Sequence, residues 1–225
     1  MIRLYGTAQT RAFRPLWMLE ELGIPYELVK TNFANGDTRS AEFLEVNPNG
    51  HVPALVDGEL TLFESMAINL YLAQRYGQGP LWPASEHDRA RTVQWSFWAV
   101  TECEAFLFDV LFESGGGQFE EWREWTETEE FRATHPGAPV LTREGAAARA
   151  KAAAAALQLP LRVLDAQLRG RDHLLGAAFG AADLNVGAVW VTARLAKLDL
   201  SAYPNVDAWL ARCTSRPALV RAATK

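Results

Sequence analysis

Two hydroxyl side chains stand where predicted helices begin, and each could hold an anion there. Thr10 directly precedes a helix predicted near residues 11–22, and Ser65 opens one predicted over 65–76. A helix N-terminus carries partial positive charge and N–H groups without intrahelical partners, so it attracts negative charge. A hydroxyl there adds one more hydrogen bond to a thiolate or carboxylate. The structural alternatives are an N-cap for Thr10 and an ordinary acidic first turn for Glu64-Ser65.

The elements that must position these residues predict one small mixed sheet with helices on its faces. A strand, a helix and a strand at short spacing predict a right-handed parallel unit. Asp57-Gly58 lies between two apolar runs, which is typical of a hairpin with a type I′ turn. The predicted order is βαβαββα. Its elements cover residues 2–5, 11–22, 26–29, 40–46, 53–63 (both hairpin strands) and 65–76. Ser40 is the expected N-cap of the short helix over 40–46.

The remainder of the chain predicts helices. Residues 77–83, rich in Gly and Pro, predict a linker, so we expect one domain over residues 1–78 and an all-helical domain over residues 86–225. Pro160 should break or kink the Ala-rich helix before it. Predicted helical stretches cover residues 87–112, 146–159, 184–195 and 206–213.

The segment from Ser114 to Leu141 does not fit a compact helical bundle. It begins with three glycines, ends in Pro136-Gly-Ala-Pro139, and carries a run of glutamates between them. A solvated acidic helix or mobile loop is the simpler interpretation. The alternative is a lid or dimer-side flap that uses Trp122 and Trp125.

Composition excludes several classes of protein. The chain has 225 residues, a net charge of −5 and 49% hydrophobic residues, which suits a folded globular protein without the basic charge of a nucleic-acid binder. No run is apolar enough for a membrane span, and no signal peptide is expected, because a strand-like segment follows Met1 at once. Cys103 and Cys213 allow neither a disulfide framework nor zinc-type spacing. We therefore expect a cytoplasmic protein without a metal or a membrane partner.

Several separated stretches resemble the cytosolic glutathione S-transferase family, in the family's order. The likeness is to its bacterial-type members that use a serine or threonine hydroxyl. It implies a thioredoxin-like first domain, an all-helical second domain and a homodimer, and only 114–141 is longer than usual. The stretches are LYGTAQTRAFR (4–14) with WMLEELGIPYE (17–27), NPNGHVPAL (47–55), ESMAINLYL (64–72), FGAADL (179–184) and YPNVDAW (203–209).

The resemblance assigns the catalytic hydroxyl to Thr10. A free thiol has a pKa near 8.5, so a catalyst that uses glutathione must stabilise the thiolate. In the family a serine or tyrosine at the first strand–helix junction contacts the sulfur, and Thr10 takes the serine's position, four residues before Arg14. Thr7 is the alternative hydroxyl, and Tyr5 belongs to the strand. No cysteine precedes Arg14, which argues against the thiol-transferase chemistry of some members.

The same resemblance assigns the contacts of the remaining parts of glutathione to two further segments of the chain. Glu64 would take the γ-glutamyl ammonium and Ser65 the γ-glutamyl carboxylate. Val52-Pro53 matches the family's cis-proline step, where the Val52 N–H and C=O would pair with the cysteinyl backbone. His51 would lie near the glycyl carboxylate, or else be an exposed loop histidine.

The electrophile pocket is expected between the two predicted domains. Its candidate walls are Phe13, Trp98 and Phe106, although aromatic residues at helical spacing are more often core. Asp183 resembles the family's buried capping aspartate, but Gly180 stands where the family usually has the partner hydroxyl.

The predicted function is conjugation of the glutathione thiolate to a small, partly apolar electrophile. One alternative is a noncatalytic glutathione-fold protein that binds or regulates a partner. The other is a different glutathione enzyme, such as a peroxidase, isomerase or dehalogenase. The sequence does not choose the electrophile, because pocket shape determines it.

Overall fold

A computed structural model describes residues 1–114, 124, 126–134 and 143–225 of the chain. Trp122 and Trp125, the candidates for a flap, lie outside the described residues, as does most of the 114–141 segment. In the described part of that segment a helix spans Glu129–Thr134, and the side chains of Thr126 and Phe131 are buried. This part is therefore not a wholly solvated surface.

A four-stranded mixed sheet forms the first part of the fold, as predicted. Its strands are β1 (Ile2–Tyr5), β2 (Tyr26–Val29), β3 (Ala54–Asp57) and β4 (Leu60–Phe63), in the order β2-β1-β3-β4. β1 is parallel to β2 and antiparallel to β3, and β3 is antiparallel to β4. The hairpin lies where Asp57-Gly58 predicts it, but type I′ was wrong: of the two residues between the strands, only Gly58 has positive φ, at 62°.

Three α-helices accompany this sheet: α1 (Phe13–Leu22), α2 (Ala41–Val46) and α3 (Ser65–Tyr76). Short 3₁₀ turns lie at Phe33–Asn35, Asp37–Arg39 and Gly79–Leu81. The bounds of α3 are as predicted, and the Ser40 side chain caps α2 by accepting the Phe43 N–H at 3.2 Å. α1 begins two residues after the predicted start, because residues 10–12 form a turn that a side chain holds.

The described part of the remaining chain is helical, which confirms the fold class. A five-residue π-helical segment, Ala99–Cys103, interrupts the long helix predicted over 87–112. The Ala-rich helix ends before Gln158, close to the predicted break at Pro160. The helices are α4 (Glu86–Trp98), α5 (Glu104–Ser114), α6 (Glu129–Thr134), α7 (Arg143–Ala156), α8 (Gln158–Leu168), α9 (Ala181–Leu195), α10 (Pro204–Thr214) and α11 (Pro217–Ala223). None of them, within the described ranges, is long and apolar enough to cross a bilayer.

The chain divides into two compact units, each with its own buried apolar residues. The first unit comprises residues 1–97, 170–188 and 209–225, and the second comprises residues 98–169 and 189–208. The predicted domains, residues 1–78 and 86–225, are each continuous in sequence, whereas each compact unit combines separate segments. These domain bounds stay a prediction. Fully buried side chains of the first unit include Leu4, Leu16, Trp17, Leu55, Ile68 and Trp209, and those of the second include Leu107, Leu157, Leu164 and Trp190.

Asp183 caps α9 and has the structural role expected of it. Its buried carboxylate accepts hydrogen bonds from the N–H groups of Gly180 and Leu174, at 3.1 and 2.8 Å, and from the Trp209 indole at 2.8 Å. Burial raises the pKa of Asp183, while these three donors act in the opposite direction. The glycine at 180 has a steric reason: a Cβ there would lie 2.7 Å from the Pro80 carbonyl oxygen.

Gly180→Ser should therefore destabilise the protein although it adds a capping hydroxyl. The clash with a backbone oxygen requires a backbone shift, and we expect the free energy of unfolding to fall by about 1–3 kcal/mol in urea titrations. Gly180→Ala, which has the same Cβ and no hydroxyl, is the matched control. A serine variant as stable as the parent would contradict the steric explanation.

Asp57 joins the β3–β4 hairpin to the C-terminal half of α3. Its Oδ2 accepts the hydroxyls of Tyr76 and of Tyr71, the latter at 2.8 Å. The Tyr76 hydrogen bond, together with that from Tyr71, lowers the pKa of Asp57, and burial and the same contact raise the pKa of Tyr71 to about 12. The ionised carboxylate is thus the form that the fold prefers.

Asp57→Asn should remove stability that depends on pH. Because the folded pKa of Asp57 is lowered, its contribution is complete above the unfolded pKa of about 3.9 and is lost as pH falls through the folded value. We expect a loss of about 1 kcal/mol at pH 7, after allowance for solvent exposure. The difference from the parent should shrink towards pH 3. Glu59→Gln in the same turn is the control. If both variants lose the same stability, or if the loss in Asp57→Asn does not depend on pH, the tyrosine contacts are not its cause.

Candidate functional site

The register of the sheet gathers the predicted site segments at one edge. Tyr5, the last residue of β1, pairs with Ala54, the first residue of β3, and Ala54 pairs with Phe63, the last residue of β4. The chain beyond each of these three positions carries predicted site residues: 6–12 after β1, 51–53 before β3 and 64–65 after β4. Antiparallel pairing therefore brings together three segments that are separate in the sequence.

Thr10 lies in a turn between β1 and α1. Its Oγ1 donates to the Thr7 carbonyl at 2.8 Å and accepts the Ala12 N–H at 3.2 Å, and its own N–H also donates to the Thr7 carbonyl at 3.1 Å. The residue is half-buried. The hydroxyl thus holds the turn before α1, but Thr10 is not the N-cap of that helix, which is Ala12 without a side-chain capping bond. Thr10 stays at the edge where the segments meet.

Gly6 allows these segments to approach each other closely. Its φ is 137°, and a Cβ at this position would lie 2.4 Å from the Ala12 Cβ, 3.4 Å from the Val52 Cβ and 3.6 Å from Thr10 Oγ1. A side chain at residue 6 would separate the start of α1 from the end of β1. The structure therefore brings Thr10 and Val52 to the same point of the backbone.

The loop before β3 presents Val52 through a cis peptide bond to Pro53. Asn47, which is 2% exposed, organises this loop: its Nδ2 donates to the His51 carbonyl at 2.6 Å, and its Oδ1 accepts the Asn49 N–H at 3.1 Å. Asn47 belongs to the NPNGHVPAL motif, and the sequence alone predicts no role for it. Its signal was the Asn-Pro-Asn-Gly turn chemistry around it.

His51 is exposed at this edge, and the Arg39 guanidinium lies beside its loop. Gly50, with φ of 63°, is so close to the Arg39 guanidinium that a Cβ would lie 3.0 Å from Nη1. Arg39 is exposed, and its guanidinium is adjacent to the residue before His51.

Ser65 and Glu64 begin α3, and a buried arginine contacts the serine. Arg14 Nη1 donates to Ser65 Oγ at 3.0 Å, and these two residues are only 4% and 5% exposed. Glu64 has φ of 71° and ψ of 111°, which is unusual for a residue with a side chain, and that side chain is exposed. The sequence indicated Glu64 and Ser65 but not this contact of Arg14, because it joins residues 51 positions apart.

The candidate pocket aromatics belong to different units. Phe13, in the first unit, is half-buried, and its ring centroid lies 6.2 Å from that of Trp17. Trp98 and Phe106, in the second unit, are also half-buried. Their role as walls of an electrophile pocket stays a prediction.

Neither cysteine has the environment of a reactive thiol. Cys103 and Cys213 are free and fully buried. Burial raises the pKa of the Cys103 thiol to about 12, and burial also raises the pKa of the Cys213 thiol. Since the thiolate is the nucleophile, these side chains are inert at neutral pH.

Comparisons with known proteins identify the family. The model of the glutathione S-transferase N-terminal domain matches residues 1–74, and that of the C-terminal domain matches residues 117–217. The disulfide-bond oxidoreductase YfcG of Escherichia coli K12 is 32% identical over 234 residues, which cover 100% of this chain and 95% of YfcG. The chain therefore belongs to the glutathione S-transferase family, as the motifs predict.

Two further relatives show how the similarity is distributed. Glutathione S-transferase GstB of Escherichia coli K12 is 45% identical over 102 residues, so this match spans 44% of the chain and only about half, 49%, of GstB. A theta class glutathione S-transferase from Xanthomonas axonopodis pv. citri, solved with glutathione bound, has 27% identity and a TM-score of 0.78. That likeness covers 100% of this chain and 97% of the solved one.

Ser65→Ala should weaken the binding of glutathione to the protein. The variant removes one hydroxyl from the predicted carboxylate site, and a hydrogen bond to a charge contributes about 1–3 kcal/mol, or roughly 5- to 150-fold in Kd. Isothermal titration with reduced glutathione measures the change. Ser65→Thr, which keeps the hydroxyl and the Arg14 partner, is the control, and equal affinity in the alanine variant and the parent would remove Ser65 from the site.

Proposed function

We propose that this chain is a glutathione transferase that binds glutathione at the edge of the sheet and uses Thr10 to stabilise the thiolate. The observation that carries the proposal is the sheet register, which gathers residues 6–12, 51–53 and 64–65. Each segment supplies groups suited to a different part of the tripeptide. The membership of the family, and the relative solved with glutathione bound, support the same ligand.

The proposed binding mode follows the chemistry of the three segments. The γ-glutamyl end would lie at α3, with its carboxylate on Ser65 and the helix N-terminus and its ammonium near Glu64. The Val52 backbone would pair with the cysteinyl residue, as a strand edge pairs with a peptide. His51 would lie near the glycyl carboxylate, and the adjacent Arg39 adds positive charge there.

In the proposed reaction the main contribution of the protein is to stabilise the glutathione thiolate. The bound thiol loses its proton to solvent, and the Thr10 hydroxyl donates a hydrogen bond to the sulfur anion that remains. The sulfur lone pair then forms a carbon–sulfur bond with the electrophile, and the leaving group departs with the displaced electron pair. A carbon–carbon double bond would instead take up a proton.

A second candidate is the glutathione-dependent reduction of disulfides. The similarity to YfcG over 100% of the chain favours it. The same thiolate would attack a disulfide sulfur and release one thiolate, and a second glutathione would resolve the mixed disulfide and leave oxidised glutathione. Because Cys103 and Cys213 are buried, neither reaction would use a protein thiol. Assays with an aryl halide and with a small disulfide distinguish the two activities.

The assembly and compartment of the protein are part of the same proposal. A homodimer is expected from the family, and two free cysteines suit a reducing cytoplasm.

Thr10→Val should reduce the rate of conjugation far more than it reduces affinity. The exchange keeps the branched shape and removes the hydroxyl, so the pKa of the bound glutathione thiol should rise. Removal of such a donor typically costs on the order of a hundredfold in kcat. The measurements are kcat with a generic electrophile and the thiolate absorbance of the complex as a function of pH.

Two neighbouring variants make this prediction specific. Thr10→Ser should retain activity, and Thr7→Val should have a smaller effect than Thr10→Val. If Thr10→Val conjugates as fast as the parent, the assignment of the catalytic residue is wrong. If the parent shows no thiolate on binding glutathione, the noncatalytic alternative is favoured.

A further inference from the structure

The Thr10 hydroxyl takes part in two hydrogen bonds, and they respond differently to an arriving thiolate. It donates its single hydrogen to the Thr7 carbonyl at 2.8 Å, and its oxygen accepts the Ala12 N–H at 3.2 Å. A thiolate needs that hydrogen. The bond to Thr7 must therefore break, whereas the bond from Ala12 need not.

Loss of the bond to Thr7 leaves no buried acceptor without a partner. The Thr7 carbonyl also accepts the Thr10 N–H at 3.1 Å, and this bond is part of the backbone turn. The hydroxyl hydrogen turns about the Cβ–Oγ1 bond while the oxygen stays in position. The usual penalty for an orphaned buried group does not arise, so the change of partner costs little.

The Ala12 N–H remains on the oxygen after the hydrogen has turned. A hydroxyl that accepts one hydrogen bond is polarised and becomes a stronger donor for the next, because hydrogen bonds in a chain reinforce one another. The result is an ordered series from the Ala12 N–H through Thr10 Oγ1 to the sulfur. Thr10 alone supplies the hydrogen, but Ala12 determines how well it is donated.

The packing of Ala12 fixes the direction of this N–H. The residue is fully buried, and its Cβ lies against Gly6, where a Cβ would be only 2.4 Å away. Its φ is −65° and ψ −18°, so it already has helical geometry at the entry of α1. The amide thus approaches Oγ1 from a backbone position that side-chain motion does not change.

We infer that the backbone N–H of Ala12 is a positioning group for the Thr10 hydroxyl, which turns from the Thr7 carbonyl to the glutathione thiolate while Ala12 holds and polarises its oxygen. This inference rests on the proposed function. It adds to that function a backbone donor beside the side chains already assigned.

The test replaces single amides by esters through nonsense suppression in the full-length chain. Lactic acid at position 12 removes the N–H that bonds Oγ1 and keeps the methyl side chain. Phenyllactic acid at position 13 is the matched control, because the Phe13 N–H donates to the Thr10 carbonyl, at 3.0 Å, and not to its hydroxyl. The readout is the pKa of the bound glutathione thiol from thiolate absorbance, with affinity measured separately.

We expect the ester at position 12 to raise the bound-thiol pKa by roughly 0.2–0.7 unit, a fraction of the one to two units expected for Thr10→Val. The ester at position 13 should leave it within error of the parent. The inference is overturned if both esters shift the bound-thiol pKa equally, or if the ester at position 12 does not shift it. The proposed function stands in either case, provided that Thr10→Val shifts this pKa. No shift in Thr10→Val would instead refute the role of Thr10 itself.

A second measurement uses the unmodified backbone, in case an ester prevents folding. The Ala12 amide proton should move downfield as the bound thiol ionises, with the same midpoint, because its acceptor becomes more electron-rich. Thr10→Val should lack this movement. An Ala12 resonance that does not follow the thiol titration in the parent contradicts the inference.

Discussion

The alignment of β1, β3 and β4 is the constraint on which the candidate site depends. Tyr5, Ala54 and Phe63 lie side by side, so the chain enters or leaves the sheet at one edge in three places. A slip of one residue between β1 and β3 would exchange the inward and outward faces and bury polar groups. The hydrophobic pattern that keeps Leu4 and Leu55 fully buried therefore also keeps the segments that carry Thr10, Val52 and Ser65 at one edge of the sheet.

Much of this arrangement follows from local sequence, and the reason is visible in particular elements. α3 has its predicted bounds because its N-terminal serine, helical periodicity and following Gly77 all agree. The hairpin is correct in position, but its turn type depends on the backbone of Glu59, for which composition gives no signal. The start of α1 was predicted too early because residues 10–12 form a turn, which backbone hydrogen bonds between residues three apart and the Thr10 side chain hold before the helix begins.

What sequence could not provide are contacts between distant residues. Arg14 and Ser65 are 51 positions apart, and nothing local pairs them. The π-helical segment at Ala99–Cys103 was missed because one extra residue in a turn hardly changes the apolar pattern. The sequence predicts only that Gly180 lacks the hydroxyl of a capping box. The structure shows that the Pro80 carbonyl leaves no room for a Cβ at this position. For the Arg14–Ser65 contact and for Gly180, tertiary packing, which periodicity does not encode, decides the outcome.

The buried Arg14 gives the proposed γ-glutamyl site its electrostatic logic. An arginine that is 4% exposed is costly to desolvate and needs polar partners, of which Ser65 Oγ is one. The guanidinium and the N-terminus of α3 bring positive charge to the Ser65 hydroxyl, which keeps its hydrogen free to donate because it accepts from Arg14. One residue earlier, the exposed Glu64 supplies negative charge. The γ-glutamyl end of glutathione carries a carboxylate and an ammonium on one carbon atom. Positive charge at Ser65 and negative charge at Glu64, one residue apart, match these two groups.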